Sequence, residues 1–177
     1  MTSSTAVARP QHRDVPARMM LCAVQRLRPE HVRAFVNGAS QALPLIVAQQ
    51  GAEPLGRVAV IYHQPVTDTS DGPVEVCVPY AGELNVPEGL SARHEPAHVE
   101  AYLPLTKPGF ADAELLDEAW RSLRHYARAN GEIMGPMRRI DYGVWETHGE
   151  GEMVGEIILP LKWFNQLRPN TRGRLFP

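Results

Sequence analysis

Two glutamates and a group of tyrosines recur in this chain at nearly matched spacing. Gly51, Tyr62 and Glu75 return as Gly131, Tyr142 and Glu156. The glycine-to-tyrosine step is 11 residues in both copies, and the tyrosine-to-glutamate step is 13 in the first and 14 in the second. Each glutamate opens a similar run, Glu75-Val76-Cys77-Val78-Pro79 and Glu156-Ile157-Ile158-Leu159-Pro160. A chain made of two copies of one unit tends to gather equivalent residues around a pseudo-twofold axis. Here that places two acids and two tyrosines at one central cleft. An anionic carboxylate in an apolar cleft is costly without a partner, and a bound cation would supply one. Nearby rings would add cation–π attraction of about 0.5–2 kcal/mol per good contact. Glu156 and Glu75, with Tyr62, Tyr142, Tyr102 and Trp145, therefore suit a bulky, flat, positively charged ligand. The same groups suit catalysis: Glu156 as a general base on water, with Tyr62 or Tyr142 as proton donor. Spacing does not separate binding from catalysis.

The elements that must position these residues are legible from pattern. Residues 1–16 mix Ser, Thr, Arg, Pro and His without periodicity and are expected to form a flexible arm. Arg18 to Leu27 is a predicted strand. Pro29 and Glu30 open a helix that Pro44 is expected to break or kink and Gly51 to stop. Arg57 to His63 and Val74 to Tyr80 are predicted strands, rich in Val, Ile and Tyr. After a connector from Ala81 to Arg93 the order repeats. His98 to Leu105 is a strand, Lys107-Pro108-Gly109 a turn, and Asp112 to Ala129 a helix with Leu115, Leu116, Ala119, Leu123 and Tyr126 on one stripe. Met137 to Glu146 and Met153 to Lys162 are the last two strands. The expected fold is α+β: two pseudo-symmetric strand–helix–strand–strand repeats, about 17–82 and 95–163, in one largely antiparallel sheet. Its helices lie on one face and its ligand cleft between the halves. Residues 164–177 are read as a basic tail. Strand alternation puts Ile157, Leu159 and Leu161 on the helix side and Glu156 and Ile158 on the other. It separates Val76, Val78 and Tyr80 from Glu75 and Cys77 in the same way.

Composition narrows the function classes. At 44% hydrophobic and 21% charged residues the chain has the make-up of a globular domain, and a net charge of −2 argues against nucleic-acid binding. No apolar run is long enough to span a membrane. The N-terminus has no apolar signal segment, so a cytoplasmic setting is expected. Cys22 and Cys77 read as small reduced core residues. His94-Glu95-Pro96-Ala97-His98 matches the zinc-protease letters H-E-x-x-H, but that motif needs a helix, and Pro96 disfavours one. No metal site and no cofactor are expected.

The ordered set Ala119-Trp120-Arg121-Ser122-Leu123, Asn130-Gly131, Gly135-Pro136, Asp141-Tyr142 and Gly155-Glu156-Ile157-Ile158-Leu159-Pro160-Leu161 resembles the GyrI-like small-molecule-binding domain, the effector-binding module of AraC-type and MerR-type multidrug regulators. Val60-Ile61-Tyr62-His63 and Glu75-Val76-Cys77-Val78-Pro79 agree in the first half. The resemblance covers roughly residues 17 to 163. It implies ligand held between two pseudo-symmetric units, with Glu156 facing lipophilic aromatic cations and Tyr62, Tyr142, Trp145 and Tyr102 around them. It also implies drug sequestration or sensing as a role, and a stand-alone form without the helix-turn-helix half is expected. Some members of similar fold hydrolyse cyclopropane-bearing alkylating antibiotics, which would make Glu156 and Tyr142 catalytic. Others modulate DNA gyrase; only the acidic loop residues Asp68, Asp71, Glu150 and Glu152 speak for such a partner. Pro108-Gly109-Phe110 departs from the usual Gly-Pro-Tyr and lacks its hydroxyl.

Overall fold

The computed structural model describes residues 8–163, apart from Pro65 and Asp68. The basic tail and the first seven residues lie outside the described residues. The elements run β1 (Gln11–Val15), β2 (Arg18–Leu27), α1 (Pro29–Gln49), β3 (Glu53–Pro54), β4 (Ala59–Tyr62), β5 (Gly72–Ala81), β6 (Ser91–Glu95), β7 (His98–Thr106), α2 (Lys107–Ala111), α3 (Ala113–Asn130), β8 (Gly131–Ile133), β9 (Met137–Asp141), a 3₁₀ turn (Trp145–Thr147) and β10 (Met153–Trp163). The main path of the sheet is β1-β7-β10-β9-β4-β5-β2-β6, with β3 on β5 and β8 on β10. All of these pairings are antiparallel. The fold is thus α+β with both long helices on one face, as the periodicity implies. Among the described residues no helix is long and apolar enough to cross a membrane.

The strand order is a palindrome of the two halves, with the pseudo-twofold axis between β4 and β9. The repeat is longer than the sequence pattern suggests. Residues 11–15, expected in a flexible arm, form β1 against β7, and β6 begins inside the expected connector. Each first strand is exchanged: β1 pairs with β7 of the second half, and β6 with β2 of the first. Two residues, Pro16-Ala17, join β1 to β2, and Pro96-Ala97 join β6 to β7, although each pair stands at opposite ends of the path. So short a link reaches only about 7–10 Å, so the sheet curls until its ends meet. Proline lacks the amide a ladder needs, and both breaks fall at one.

Helix-side strand positions build the core. Leu21, Val76, Val78 and Tyr80 pack with Leu43 and Val47 of α1; Val99, Ala101, Leu103, Ile157, Leu159 and Leu161 pack with Ala119, Leu123 and Ala127 of α3. Asp112 caps α3 by accepting from the amides of Glu114 and Leu115, the satisfaction of free N–H groups that a helix start requires. Two further expectations change. α1 runs unbroken through Pro44, anchored on either side of it by buried Leu43 and Val47. The turn at Lys107 is the short helix α2.

Candidate functional site

The face opposite the helices carries the polar chemistry. Glu75, Glu95, Glu100 and Glu156 are all buried there, each about 95% or more. Burying four carboxylates is tenable only with hydrogen-bonded cations beside them. The cations are the chain's own arginines. Arg13 reaches Glu156 at 2.5 Å and Glu100 at 3.1 Å. Arg138 reaches Glu95 at 2.6 Å and Glu100 at 3.6 Å. Arg18 lies 2.7 Å from Glu95, and Arg93 lies 3.1 Å from Glu75 and 3.8 Å from Glu95. The result is one ladder of alternating charge from Glu156 to Glu75, crossing the pseudo-axis. Burial pushes the carboxyls of Glu95 and Glu100 up, but their arginines, with His98 for Glu100, hold both below the usual range.

The two glutamates singled out by the repeat are bound alike. Glu156 takes Arg13 on Oε1 and the Tyr142 hydroxyl on Oε2, the latter at 2.5 Å. Glu75 takes Arg93 on Oε1 at 3.1 Å and His63 Nε2 on Oε2 at 2.6 Å. His63, not Tyr62, therefore makes the contact in the first half that Tyr142 makes in the second. The cause is parity. Ile61 is the partner of Glu75 in the β4–β5 register, so Tyr62 points to the other face. There it packs with Leu27, Val60 and Val74 on the helix side. Ile140 is the partner of Glu156, so Tyr142, two residues on, shares the glutamate's face. The unequal steps of 13 and 14 residues carry this difference, because a one-residue slip reverses a strand's faces.

A cleft of about 440 Å³ opens beside Glu156, with Arg13, Arg57, Tyr102, Ile140 and Tyr142 among its walls. That size is within the usual range for small-molecule pockets. Gly155 sets the approach to Glu156: a Cβ there would stand 2.6 Å from the Ile140 carbonyl oxygen, and the β10–β7 register shifts at the same point. Arg13 lies over the Tyr102 ring at 4.5 Å, and Arg57 over the Tyr142 ring at 4.3 Å. Burial and then the bond to Glu156 push the Tyr142 hydroxyl pKa up, so it holds its proton and donates it to the carboxylate. Of the residues named from sequence, Glu156, Tyr142 and Tyr102 meet at this cleft. Glu75 sits across the pseudo-axis in the other half-site. Trp145 does not join them. β9 stops at Asp141, Gly143 turns the chain at a φ of +119°, and Trp145 packs, tilted, against Phe110 and under Arg139.

Arg13, Arg18, Arg93, Arg138, Glu95 and Glu100 escaped the sequence reading. One signal could have found the first pair. Arg13-Asp14-Val15-Pro16-Ala17-Arg18 recurs 80 residues on as Arg93-His94-Glu95-Pro96-Ala97-His98. The false zinc-protease motif is the second copy, bent at Pro96: Glu95 is bound by arginines, and His98 Nε2 faces Glu100 at 3.3 Å.

The same architecture occurs in solved structures. The chain superposes on the C-terminal domain of EcmrR with a TM-score of 0.64 at 16% identity, covering 88% of this chain and 98% of that one. The fold is GyrI-like. SAV2435, solved bound to tetraphenylphosphonium, matches with a TM-score of 0.56 at 12% identity over 89% of this chain and 96% of that one. A hydrolase encoded by lin2189 from Listeria innocua matches with a TM-score of 0.53 at 8% identity over 89% and 94%. Against EcmrR in its DNA complex the chain spans 58% of the longer protein's length. No family model matches the sequence, and no curated protein does. At these identities the GyrI-like likeness is one of fold.

Proposed function

We propose that this protein binds lipophilic aromatic small molecules, cationic ones above all, in the cleft at Glu156. The observation that carries the reading is the Arg13 guanidinium. It lies between two buried carboxylates and over the Tyr102 ring, so the protein already fills this place with a flat cation of its own. A ligand cation would take the place of Arg13 against Glu156 and lay its rings on Tyr102 and Tyr142. The GyrI-like neighbour bound to tetraphenylphosphonium supports the same class of ligand. Drug sensing or sequestration is the role this implies.

Hydrolysis is the weaker reading. Both oxygens of Glu156 are already engaged by Arg13 and Tyr142, so neither is aimed at a water. The likeness to a Listeria hydrolase is one of fold.

Titrating the protein with tetraphenylphosphonium by calorimetry, with Glu156→Gln alongside, tests the proposal. Saturable binding weakened about tenfold or more by the substitution is expected, in line with loss of a charge-assisted contact. Equal binding by both proteins, or none by the parent, would overturn it, and turnover of a cyclopropane-bearing substrate would replace it with hydrolysis.

A further inference from the structure

Besides its histidine donor, the first half-site differs from the second at a place that holds two thiols. Cys22 and Cys77 face each other in the β2–β5 register. Their sulfurs lie 2.6 Å apart, and both residues are fully buried. Glu75, two positions along the same face, brings Oε1 to 3.1 Å from the Cys77 sulfur. One donor atom from each of the three lies within 4.8 Å of the others. The β10–β7 ladder pairs Ile158 with Tyr102 at the corresponding place, so the fold itself does not call for sulfur there.

We infer that Cys22, Cys77 and Glu75 form a binding site for a thiophilic divalent cation of the zinc type. Two thiolates and a carboxylate are a donor set such a cation accepts. Binding exchanges the two S–H protons, released to solvent, for one doubly charged ion, so the buried charge does not change. Arg93, on Glu75 and 3.8 Å from the Cys77 sulfur, balances the third anionic ligand. His63 holds the other oxygen of Glu75, the outer-shell support that aims a ligating carboxylate. The side chains of His63 and Arg93 are 39% and 37% exposed and mark the way in. Two sulfurs sharing a tetrahedral zinc at about 2.3 Å each stand about 3.8 Å apart, so binding parts this pair by about 1 Å.

The test adds cobalt(II), as a coloured substitute for zinc, to the full chain purified under reducing conditions. Expected are a thiolate-to-cobalt charge-transfer band and tetrahedral ligand-field bands that saturate at one equivalent. Stoichiometric zinc should abolish them. Cys22→Ala should lose the charge-transfer intensity in part or whole, and Glu75→Gln should weaken zinc by about 100-fold or more. Should either variant fail to fold by circular dichroism, the spectrum of the parent still decides. A folded parent with two free thiols and no charge-transfer band overturns the inference. So does a parent whose thiols are found joined as a disulfide after purification without reductant.

Discussion

The two half-sites share a frame and differ in what fills it. In each, a glutamate near the start of a buried strand takes an arginine from the exchanged first strand on one oxygen and a neighbouring donor on the other. In the second half the donor is Tyr142, the flanking pair is Tyr102 and Ile158, and a cleft opens. In the first the donor is His63, and the flanking pair is the buried Cys22 and Cys77. A duplicated scaffold has kept the electrostatic element, which is hard to bury any other way, and has changed the groups around it. Burial also acts on Glu75 itself: it pushes that carboxyl up, but hydrogen bonds from Cys77, Cys22 and His63, with Arg93, hold it at about 2. It stays an anion throughout the neutral range.

The largest effect should come from cutting the tie between the halves. Arg138, 9% exposed at its side chain, joins Glu95 to Glu100. Arg138→Met would leave two buried carboxylates short of a partner, a loss of about 3–5 kcal/mol, seen as a lower urea midpoint at pH 7. The pH slope should also flatten. In the parent, Glu95 and Glu100 have depressed pKa values, so their contribution is present above about 4.5 and is lost as pH falls through the folded values. In the variant Glu95 keeps Arg18 and Arg93, and Glu100 keeps Arg13 and His98, so the depression of both carboxyls shrinks and less stability is lost as pH falls. An unchanged slope would mean that the ladder is a set of separate pairs.

Next in size is the competition at Glu156. Arg13→Ala should raise affinity for tetraphenylphosphonium about tenfold, roughly 1.4 kcal/mol, because the ligand no longer displaces an internal cation. β1 should stay in place. His12 Nδ1 lies 2.7 Å from the Tyr126 hydroxyl, and its ring 4.2 Å from that of Trp163. Arg93→Ala, the same change in the first half, should leave that affinity unaltered. Equal gains from both substitutions would erase the distinction between the half-sites.

Much of this comparison was legible in the sequence, and what was not has a physical cause. The apolar periodicities of β5 and β10 and the Ala119 and Leu123 stripe of α3 point to the right faces because burial alone sets them, whereas Leu115, read onto that stripe, is 46% exposed in the first turn of the helix. Glu156, Tyr142 and Tyr102 lie on the expected face for the same reason. Tyr62 failed because matching letters at a constant offset ignores parity. Trp145 failed because Gly143 ends the strand early. β1 failed because a polar edge strand has no apolar alternation to announce it; what holds it are His12 and Arg13, whose partners are distant in the chain. The cysteine pair was invisible for a similar reason: 55 residues separate its members, and only the β2–β5 register brings them together.

The smallest effect concerns the residues after the two proline kinks, Arg18 and His98. Arg18 supports Glu95 with a permanent charge. His98 lies between the Pro96 carbonyl at 2.9 Å and Glu100 at 3.3 Å. Both partners accept, so both ring nitrogens must donate, and the ring is held as the imidazolium. Burial alone would lower its pKa; Glu100 and the Pro96 carbonyl outweigh it and raise the value above 6.5. A raised folded pKa gives stability that is complete below the unfolded value and is lost as pH rises through the folded one. Unfolding free energy should therefore decline by about 1 kcal/mol, the net worth of one hydrogen bond, on going from pH 6 to pH 9. His98→Gln should remove that decline by lowering the plateau at pH 6. His98→Arg, which makes the second half like the first, should remove it by holding the plateau to pH 9. A decline that persists in both variants would assign it to another group and leave the two kinks electrostatically equivalent.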